Sequence, residues 1–557
     1  MKLRVVLVFL IVLSFSVFLS FNLDYEKECE IVYEDSNIKQ YSTSLELEES
    51  LADNDLVSVL INLDYDKYEA IKQNDNALSK SSVNDNNLSI RNNGKKYHYE
   101  KNKEYLKEIK VSNYRDIYVS KYMPFIEVLY EKDTFVNCKN EILDSIKSNK
   151  NIKKIFVNTE RKAKDNIDYA IEASNATQYI ASDLYRGAGV KVGILETNII
   201  DVNHSNLSGV TKYTYDNPWM IDSPSNHATT MASIIAHPSA GIAPDVSIYS
   251  AGIVFGLGDE FDWMVENNVD VINISYGDAN PDGEYSSDSA MADYIVCTYN
   301  MSIVGAVGNE GETDGYVGNP ALGYNVLSVS NCSTKSTMNG SSSYQEVTGP
   351  EKPNLVTRGT AIIVPNLGCH NGTSVSCAVM TGFVACLLSQ YPNLKMYPEK
   401  VIALTMSNSF QMLGYSHLQS NGVNEYTGAG LFNLQSASDN YSGLQVKHNT
   451  STTTTDTLIA TYSKYYSSGA EINVACFWPA YATGDEDETE YTTYRMELYN
   501  TVGQLVDSVS CGRSNYMMFQ NYEVLITGTY KVKIYQCSGL KNPNGDWISV
   551  GFGHSYS

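Results

Sequence analysis

Between Ile167 and Ser438 the chain repeats one pattern: a short apolar run, a polar residue at its end, then a segment with helical spacing. The runs Val190–Leu195, Val246–Tyr249, Val269–Ile274 and Ser302–Val307 are dominated by apolar residues. Strands of this texture need cover on both faces, which calls for a parallel sheet with helices above and below it. The predicted class of this region is therefore α/β. In open α/β sheets ligands sit outside the carboxyl ends of the strands, so the polar residues at those ends are the first places to look for chemistry.

One helix tightens the constraint. The glycine-containing stretch His370–Gly382 runs into the segment Phe383-Val-Ala-Cys-Leu-Leu388, which is apolar almost all round. A helix with no polar face belongs inside a core rather than on a surface. Ser374 falls in its first turn, where unpaired backbone N–H groups and the helix dipole favour negative charge. Two roles suit it there: a helix cap, or a nucleophile whose developing oxyanion meets preformed donors.

Other polar residues collect at strand ends. Glu196 follows the run ending at Leu195, His227 opens the segment Met231–Ala236, and Gly308-Asn309-Glu310-Gly311 follows Val307. An acid, an imidazole, a side-chain amide and a serine are the parts that nucleophilic acyl transfer needs. Taken singly, Asn309 reads as a turn residue between glycines, His227 as a helix-start residue, and Ser275 and Gly277 as strand-end punctuation. Asp201 is a rival acid whose place after the strand suits a capping role. His204 and His370 read as loop residues.

The flanks differ in texture. Two cations, Lys2 and Arg4, precede an apolar run from Val5 to Phe21, the pattern of an export signal over residues 1–23. The run is slightly short for a spanning helix, so secretion is expected over N-terminal membrane anchoring, and no later segment is expected to cross a bilayer. Residues 24–163 read as a small α+β module, with strands at Leu56–Leu63, Phe125–Tyr130 and Ile152–Val157 and a helix near Asn140–Ile146. The α/β region spans 164–440. A Ser/Thr-rich linker at Ser451–Thr457 leads into residues 445–557, where alternating runs at Glu471–Phe477, Arg495–Tyr499, Gln504–Ser508 and Thr529–Tyr535 predict an all-β sandwich. The net charge of −24 argues against nucleic acid as a partner. The ten cysteines show no zinc spacing, and Cys511 and Cys537 are a candidate pair within the last domain.

The order acid, His, Asn, Ser resembles that of the subtilisin-like serine peptidases, and the local motifs agree with it. Val192–Asp201 resembles the strand that carries the family's acid, and Asn226–Ser233 resembles its histidine motif. Gly241-Ile-Ala-Pro244, Val269–Gly277, Gly308–Gly311, Lys352–Val356 and Gly372-Thr-Ser374 are similar to its remaining signatures. The resemblance implies a three-layer α/β domain with Ser374 as nucleophile, His227 as base, Glu196 as orienting acid and Asn309 as oxyanion donor. Ser275, Tyr276 and Gly277 would pair with an extended substrate as an added strand. Glu196 stands where the family carries Asp. The resemblance further implies that residues 24–163 are a propeptide inhibiting the same chain and that the sandwich is an appended domain. It implies protein or peptide substrates, a monomer, and no cofactor for catalysis. Asp222 and Asp259 are candidate calcium ligands, with no oxygen-rich loop around them. The competing reading is a catalytically impaired binding or scaffold protein, suggested by Glu196 and by Ala228, Thr230 and Ser233 within the histidine motif.

Overall fold

The computed structural model describes parts of residues 100–142, the backbone of strands 56–63 and 152–159, and residues 167–555 apart from 216–223, 254–257, 278–280, 312–314, 345 and 483–488. The expected export signal, Asp222 and the side chain of Asp259 lie outside the described residues, as does most of the helix expected near residues 140–146. The chain divides into two compact units, Met1–Lys164 and Asp165–Ser557.

In the first unit Leu56–Leu63 is one of the two inner strands of a four-stranded antiparallel sheet. It pairs with Phe125–Glu131 on one side and Ile152–Thr159 on the other. A further strand, Asp116–Val119, lies outside Phe125–Glu131. It is too short to display alternation in the sequence. Residues 100–108 are helical, so this unit combines strands and helix as the sequence texture indicates.

The second unit is built on a ten-stranded sheet. From one edge its strands run Thr211–Thr214, Ser247–Gly252, Lys191–Glu196, Val271–Ile274, Ser302–Ala306, Leu327–Thr334, Leu355–Arg358, Leu431–Phe432 and Ser409–Phe410. All of these pairs are parallel except the last, and Thr337–Met338 adds an antiparallel spur to Leu327–Thr334. Successive residues of each strand point to opposite layers. Val192, Ile194, Ile248 and Val304 join the helices Asn226–Ala236 and Thr373–Gln390 in one core. Leu195, Tyr249, Ile272 and Ile274 join the helices Gly258–Glu266 and Ser287–Tyr299 in another. This is the three-layer arrangement predicted from the sequence. The helix Thr373–Gln390 is long and apolar enough to span a bilayer by composition alone. Here sheet and helix enclose it: every residue from Val375 to Leu388 is buried.

The sandwich consists of two four-stranded antiparallel sheets. One orders Gln445–Asn449, Asp546–Ser555, Glu471–Phe477 and Tyr516–Glu523; the other orders Thr457–Tyr466, Gly528–Gln536, Tyr494–Tyr499 and Leu505–Ser510. Sequence reading misses Gln445–Asn449, Thr457–Tyr466, Tyr516–Glu523 and Asp546–Ser555. Gln445–Asn449 is largely exposed, Thr457–Tyr466 has almost no fully buried residue, and Tyr516–Phe519 is buried on consecutive residues, so apolar alternation in the sequence is weak. The sandwich shares a core with the α/β layer: Ala475, Phe477, Tyr516 and Met518 pack into the cluster that holds the Thr373–Gln390 helix. The helix Pro398–Ser407 lies against Glu471–Phe477 and Asp546–Ser555. A Cβ on Gly553 would come within 1.8 Å of the Ser407 carbonyl oxygen, so this close approach needs glycine. The Ser/Thr-rich stretch is tied down rather than free, since Gln536 Nε2 donates to the carbonyls of Ser451 and Thr453. Cys511 and Cys537 are separate thiols.

Glu399, in the first turn of Pro398–Ser407, is 4% exposed, and its Oε1 has no hydrogen-bond partner. Burial pushes its carboxyl up to about 7 from an ordinary 4.5. The folded state therefore holds this proton more tightly than the unfolded chain does. The contribution to stability is complete below pH 4.5 and is lost as pH rises through 7. Glu399→Gln is expected to raise the melting temperature at pH 8, by a free energy of at most about 3 kcal/mol, and to change it little at pH 4.5. Calorimetric scans at the two pH values test this, and equal effects at both contradict it.

Candidate active site

Three neighbouring strands deliver their carboxyl ends to one place. Leu195 is in register with Ile274, and Ile274 with Gly305. Glu196, Ser275 and the Gly308-Asn309 turn therefore emerge side by side, with adjacent strands about 4.8 Å apart. Two helices point their N-termini at the same edge. Ser225 caps Asn226–Ala236 by accepting from Ala228 N at 3.0 Å, which leaves His227 in the first turn. Gly372 caps Thr373–Gln390 at φ 137° and ψ 168°, a conformation open to glycine and not to residues with a Cβ.

Ser374 is thus the second helical residue, and its capping role is corrected by the structure: Gly372 occupies the cap without a side-chain bond. The half-buried Ser374 hydroxyl instead donates to the carbonyl of Ser275 at 3.0 Å. The Ser275 hydroxyl returns a bond to the Ser374 carbonyl at 3.1 Å and accepts one from Asn273 Nδ2 at 2.8 Å. Asn273 is fully buried and also receives Thr381 Oγ1 at 3.1 Å, so the serine is referenced to the strand from two sides. Tyr276 is half-buried and Gly277 exposed beyond it.

His227 Nδ1 lies 3.1 Å from Glu196 Oε2. The imidazole is half exposed, whereas Glu196 is 1% exposed and its Oε1 has no hydrogen-bond partner. Burial pushes the Glu196 carboxyl above its ordinary range, opposed by its bond to His227. That same bond raises His227 above 6.5, against a smaller desolvation effect. The short helix dipole at His227 favours the neutral ring, so the rise is the work of the carboxylate.

Asn309 is oriented by the serine helix itself. Its Oδ1 accepts from Thr373 N at 3.0 Å, with Thr373 Oγ1 3.3 Å away, which fixes the amide so that Nδ2 is its donor side. Thr373 Oγ1 also bonds the Gly308 backbone, donating to its carbonyl at 3.1 Å and accepting from its N–H at 3.2 Å. Thr373 and Asn273 are the residues that sequence reasoning passed over. Thr373 stands inside the recognised Gly-Thr-Ser motif, so a signal was there. Asn273 looks like any polar interruption of a strand.

Asp201 and His204 lie in turns, whereas His370, expected in a loop, ends the short strand Gly368–His370, where it pairs with Ile362. Asp201 Oδ1 accepts from Asn203 N at 2.9 Å, a turn contact. His204 Nδ1 accepts from Asn206 N at 3.3 Å and caps the short helix Ser205–Leu207. His370 Nε2 lies 3.0 Å from the Leu367 carbonyl; burial lowers its pKa, and a smaller part of that lowering comes from His227. His370 therefore lies in the electrostatic field of the site, which its place in the sequence does not reveal. Among the described residues no three His, Cys, Asp or Glu side chains gather as metal ligands. The arrangement has the parts for acyl transfer: a hydroxyl at a helix N-terminus, an imidazole held by a buried acid, and an amide bonded to the residue before the serine.

A fold of this topology with an acid, histidine, asparagine and serine at one sheet edge defines the subtilisin-like class of α/β proteins. Residues 187–430 match the profile of the Subtilase family, Peptidase_S8, and over this stretch the chain is similar to the subtilisin-like serine peptidases. Subtilisin DY of Bacillus licheniformis is 28% identical over 275 residues, which is 45% of this chain and 92% of that protein. The human membrane-bound transcription factor site-1 protease is 28% identical over 229 residues, or 37% of this chain. The match spans 21% of the site-1 protease's own length. The solved structure of the prenylagaramide maturation protease PagA aligns with 47% of this chain and 97% of its own, at 21% identity and a TM-score of 0.41.

The Glu196–His227 contact has a direct check. By NMR, the His227 ring is expected to titrate above 6.5, and Glu196→Gln is expected to bring its midpoint down, because the neutral amide no longer stabilises the imidazolium. An unchanged midpoint contradicts the contact.

Proposed function

We propose that this chain is an exported serine endopeptidase that hydrolyses peptide bonds through an acyl-enzyme. The supporting observation is the convergence of Ser374, His227, Glu196 and Asn309 at one sheet edge, each held by a named partner. In this reading, rotation about the Ser374 Cα–Cβ bond exchanges the Ser275 carbonyl for the imidazole. His227 takes the hydroxyl proton as Oγ attacks the scissile carbonyl. Glu196, standing in for the family's aspartate, stabilises the imidazolium through Nδ1. The carbonyl oxygen becomes an oxyanion, which accepts from Asn309 Nδ2 and from backbone N–H groups at the start of the serine helix. The imidazolium then protonates the leaving amine, and water repeats the sequence to release the acyl group. The extended substrate lies along Ser275, Tyr276 and Gly277 as an added strand.

No step needs a cofactor, and structural calcium is left aside. Residues 1–23 direct export to the outside of the cell, and residues 24–163 act as an inhibitor of the same chain until cleaved. The substrates are proteins or peptides, and the working form is a monomer. The competing reading, a catalytically impaired binding or scaffold protein, draws on Glu196: its extra methylene goes with a buried oxygen that finds no partner.

Two outcomes separate the readings. The purified full-length chain is expected to self-process between about Val157 and Ile167, and Ser374→Ala to remain intact under the same conditions. Normal processing of Ser374→Ala in a preparation free of other peptidases refutes self-cleavage. For the processed chain, Asn309→Ala is expected to lower turnover about 10²–10³-fold, a magnitude that comes from a subtilisin. Near-full activity removes Asn309 from the mechanism. Because the base must be neutral to accept the proton, the rate is expected to rise with pH through the elevated His227 pKa.

A further inference from the structure

The proposed oxyanion donor sits on an exposed turn that is held on one side by Thr373 of the serine helix and on the other by contacts that run toward the surface. Glu310 Oε2 accepts from Asn309 N at 2.6 Å. The Ser343 hydroxyl accepts from Glu310 N at 3.1 Å and donates to Glu310 Oε2 at 3.2 Å. Backbone bonds join the same two segments: Ser343 N to the Gly308 carbonyl at 3.1 Å, Gly311 N to Ser341 at 2.9 Å, and Tyr344 N to Gly315 at 2.8 Å. The Asn309 turn is thus laced to the segment around Ser343. That segment is a run of three serines, Ser341 to Ser343, and one anchor of it is the sheet, where Asn331 N donates to Ser342 Oγ at 3.1 Å.

A further anchor belongs to the sandwich. The turn Cys511–Asn515 joins strand Leu505–Ser510 of one sandwich sheet to strand Tyr516–Glu523 of the other. From this turn Arg513 Nη1 donates to the Val347 carbonyl at 2.8 Å, and Nη2 pairs with Glu346 Oε1 at 2.5 Å. Ser514 Oγ accepts from Glu351 N at 3.1 Å. The Glu346 carboxylate is 5% exposed, and burial pushes it up to about 7, with Arg513 pulling the other way. A buried carboxylate with this one guanidinium partner is strongly committed to it. Arg513 can hold both the carboxylate and the carbonyl because its planar fork presents parallel donors, which lysine lacks.

We infer that Arg513 is a positioning residue for the peptidase reaction: the sandwich, through Arg513, Glu346 and Ser343, sets where Asn309 presents its amide. The inference rests on the serine-peptidase reading above. An oxyanion donor works only if it is held close to its productive geometry. Releasing Arg513 takes the side-chain clamp off Glu346 and leaves the segment held by its bonds to Asn331 and Gly283, so the Asn309 turn has a less firmly fixed partner. The sandwich is then part of the active-site support, and a chain that loses this one clamp keeps its serine, histidine and acid in place while losing transition-state stabilisation.

The test is a double-mutant cycle in the full, processed chain. The probe is the best-cleaved member of a panel of peptide p-nitroanilides. Arg513→Ala is expected to lower kcat at least about tenfold with KM changed less than about threefold. In the Asn309→Ala background the same substitution is expected to cost almost nothing, because the group it positions is gone. Arg513→Lys is expected to fall between Arg513→Ala and the parent. If Arg513→Ala does not fold, as judged by thermal unfolding, Glu346→Gln carries the same cycle. Equal losses in both backgrounds, or full kcat in the Arg513 and Glu346 variants, overturn the inference and leave the peptidase reading standing. A parent chain that cleaves no member of the panel overturns both.

Discussion

Everything in the larger unit depends on hiding the helix Thr373–Gln390. Its buried face extends round the whole cylinder, so the protein has to put a sheet on one side of it and further elements on the others. The sheet supplies Val192, Ile194 and Val304, the helix Asn226–Ala236 supplies a second wall, and Ile242 packs close against Gly382. Once that helix is enclosed, its N-terminus has one place to emerge, beside the carboxyl ends of the parallel strands. Core packing and site geometry are therefore one constraint. Ser374 lies where it does because fourteen residues behind it, Val375 to Leu388, are buried.

Electrostatics finishes what packing begins. Glu196 is a carboxylate that strand burial disfavours as a charge, and the imidazole of His227 is what offsets that cost. The pair holds together because each partner stabilises the charged form of the other. The same logic recurs at Arg513 and Glu346, where a buried acid is matched by one half-exposed cation. In both places the polar contact, more than buried area, selects one geometry from several that the apolar core would tolerate.

Much of this was legible in the sequence because it rests on periodicity and on motifs at element ends. The apolar runs near Lys191–Glu196, Ser247–Gly252, Val271–Ile274 and Ser302–Ala306 were readable as strands, and the polar residues that follow them did mark the edge where Glu196, Ser275 and Asn309 meet. Long-range contacts left no such trace. Nothing near Arg513 in the sequence points to Glu346, 167 positions away, and nothing around Thr373 announces that its backbone N–H orients Asn309. Thr211–Thr214 and Thr457–Tyr466 escaped because they lie at sheet edges and are largely polar or exposed, so they lack the burial that writes a pattern. The sandwich looked like an appended module because a composition change marks its start. Composition does not report whether two regions share a core.

The central claim is that Ser374 is a nucleophile activated by its surroundings rather than a serine that merely begins a helix. The most direct measurement is the site and rate of modification by a fluorophosphonate, read by peptide mass mapping of the processed chain. The account predicts one stoichiometric adduct on Ser374, forming slowly in Glu196→Gln and absent from Ser374→Ala. Failure to modify Ser374 once residues 24–163 have been removed, or equal labelling at many serines, would contradict it.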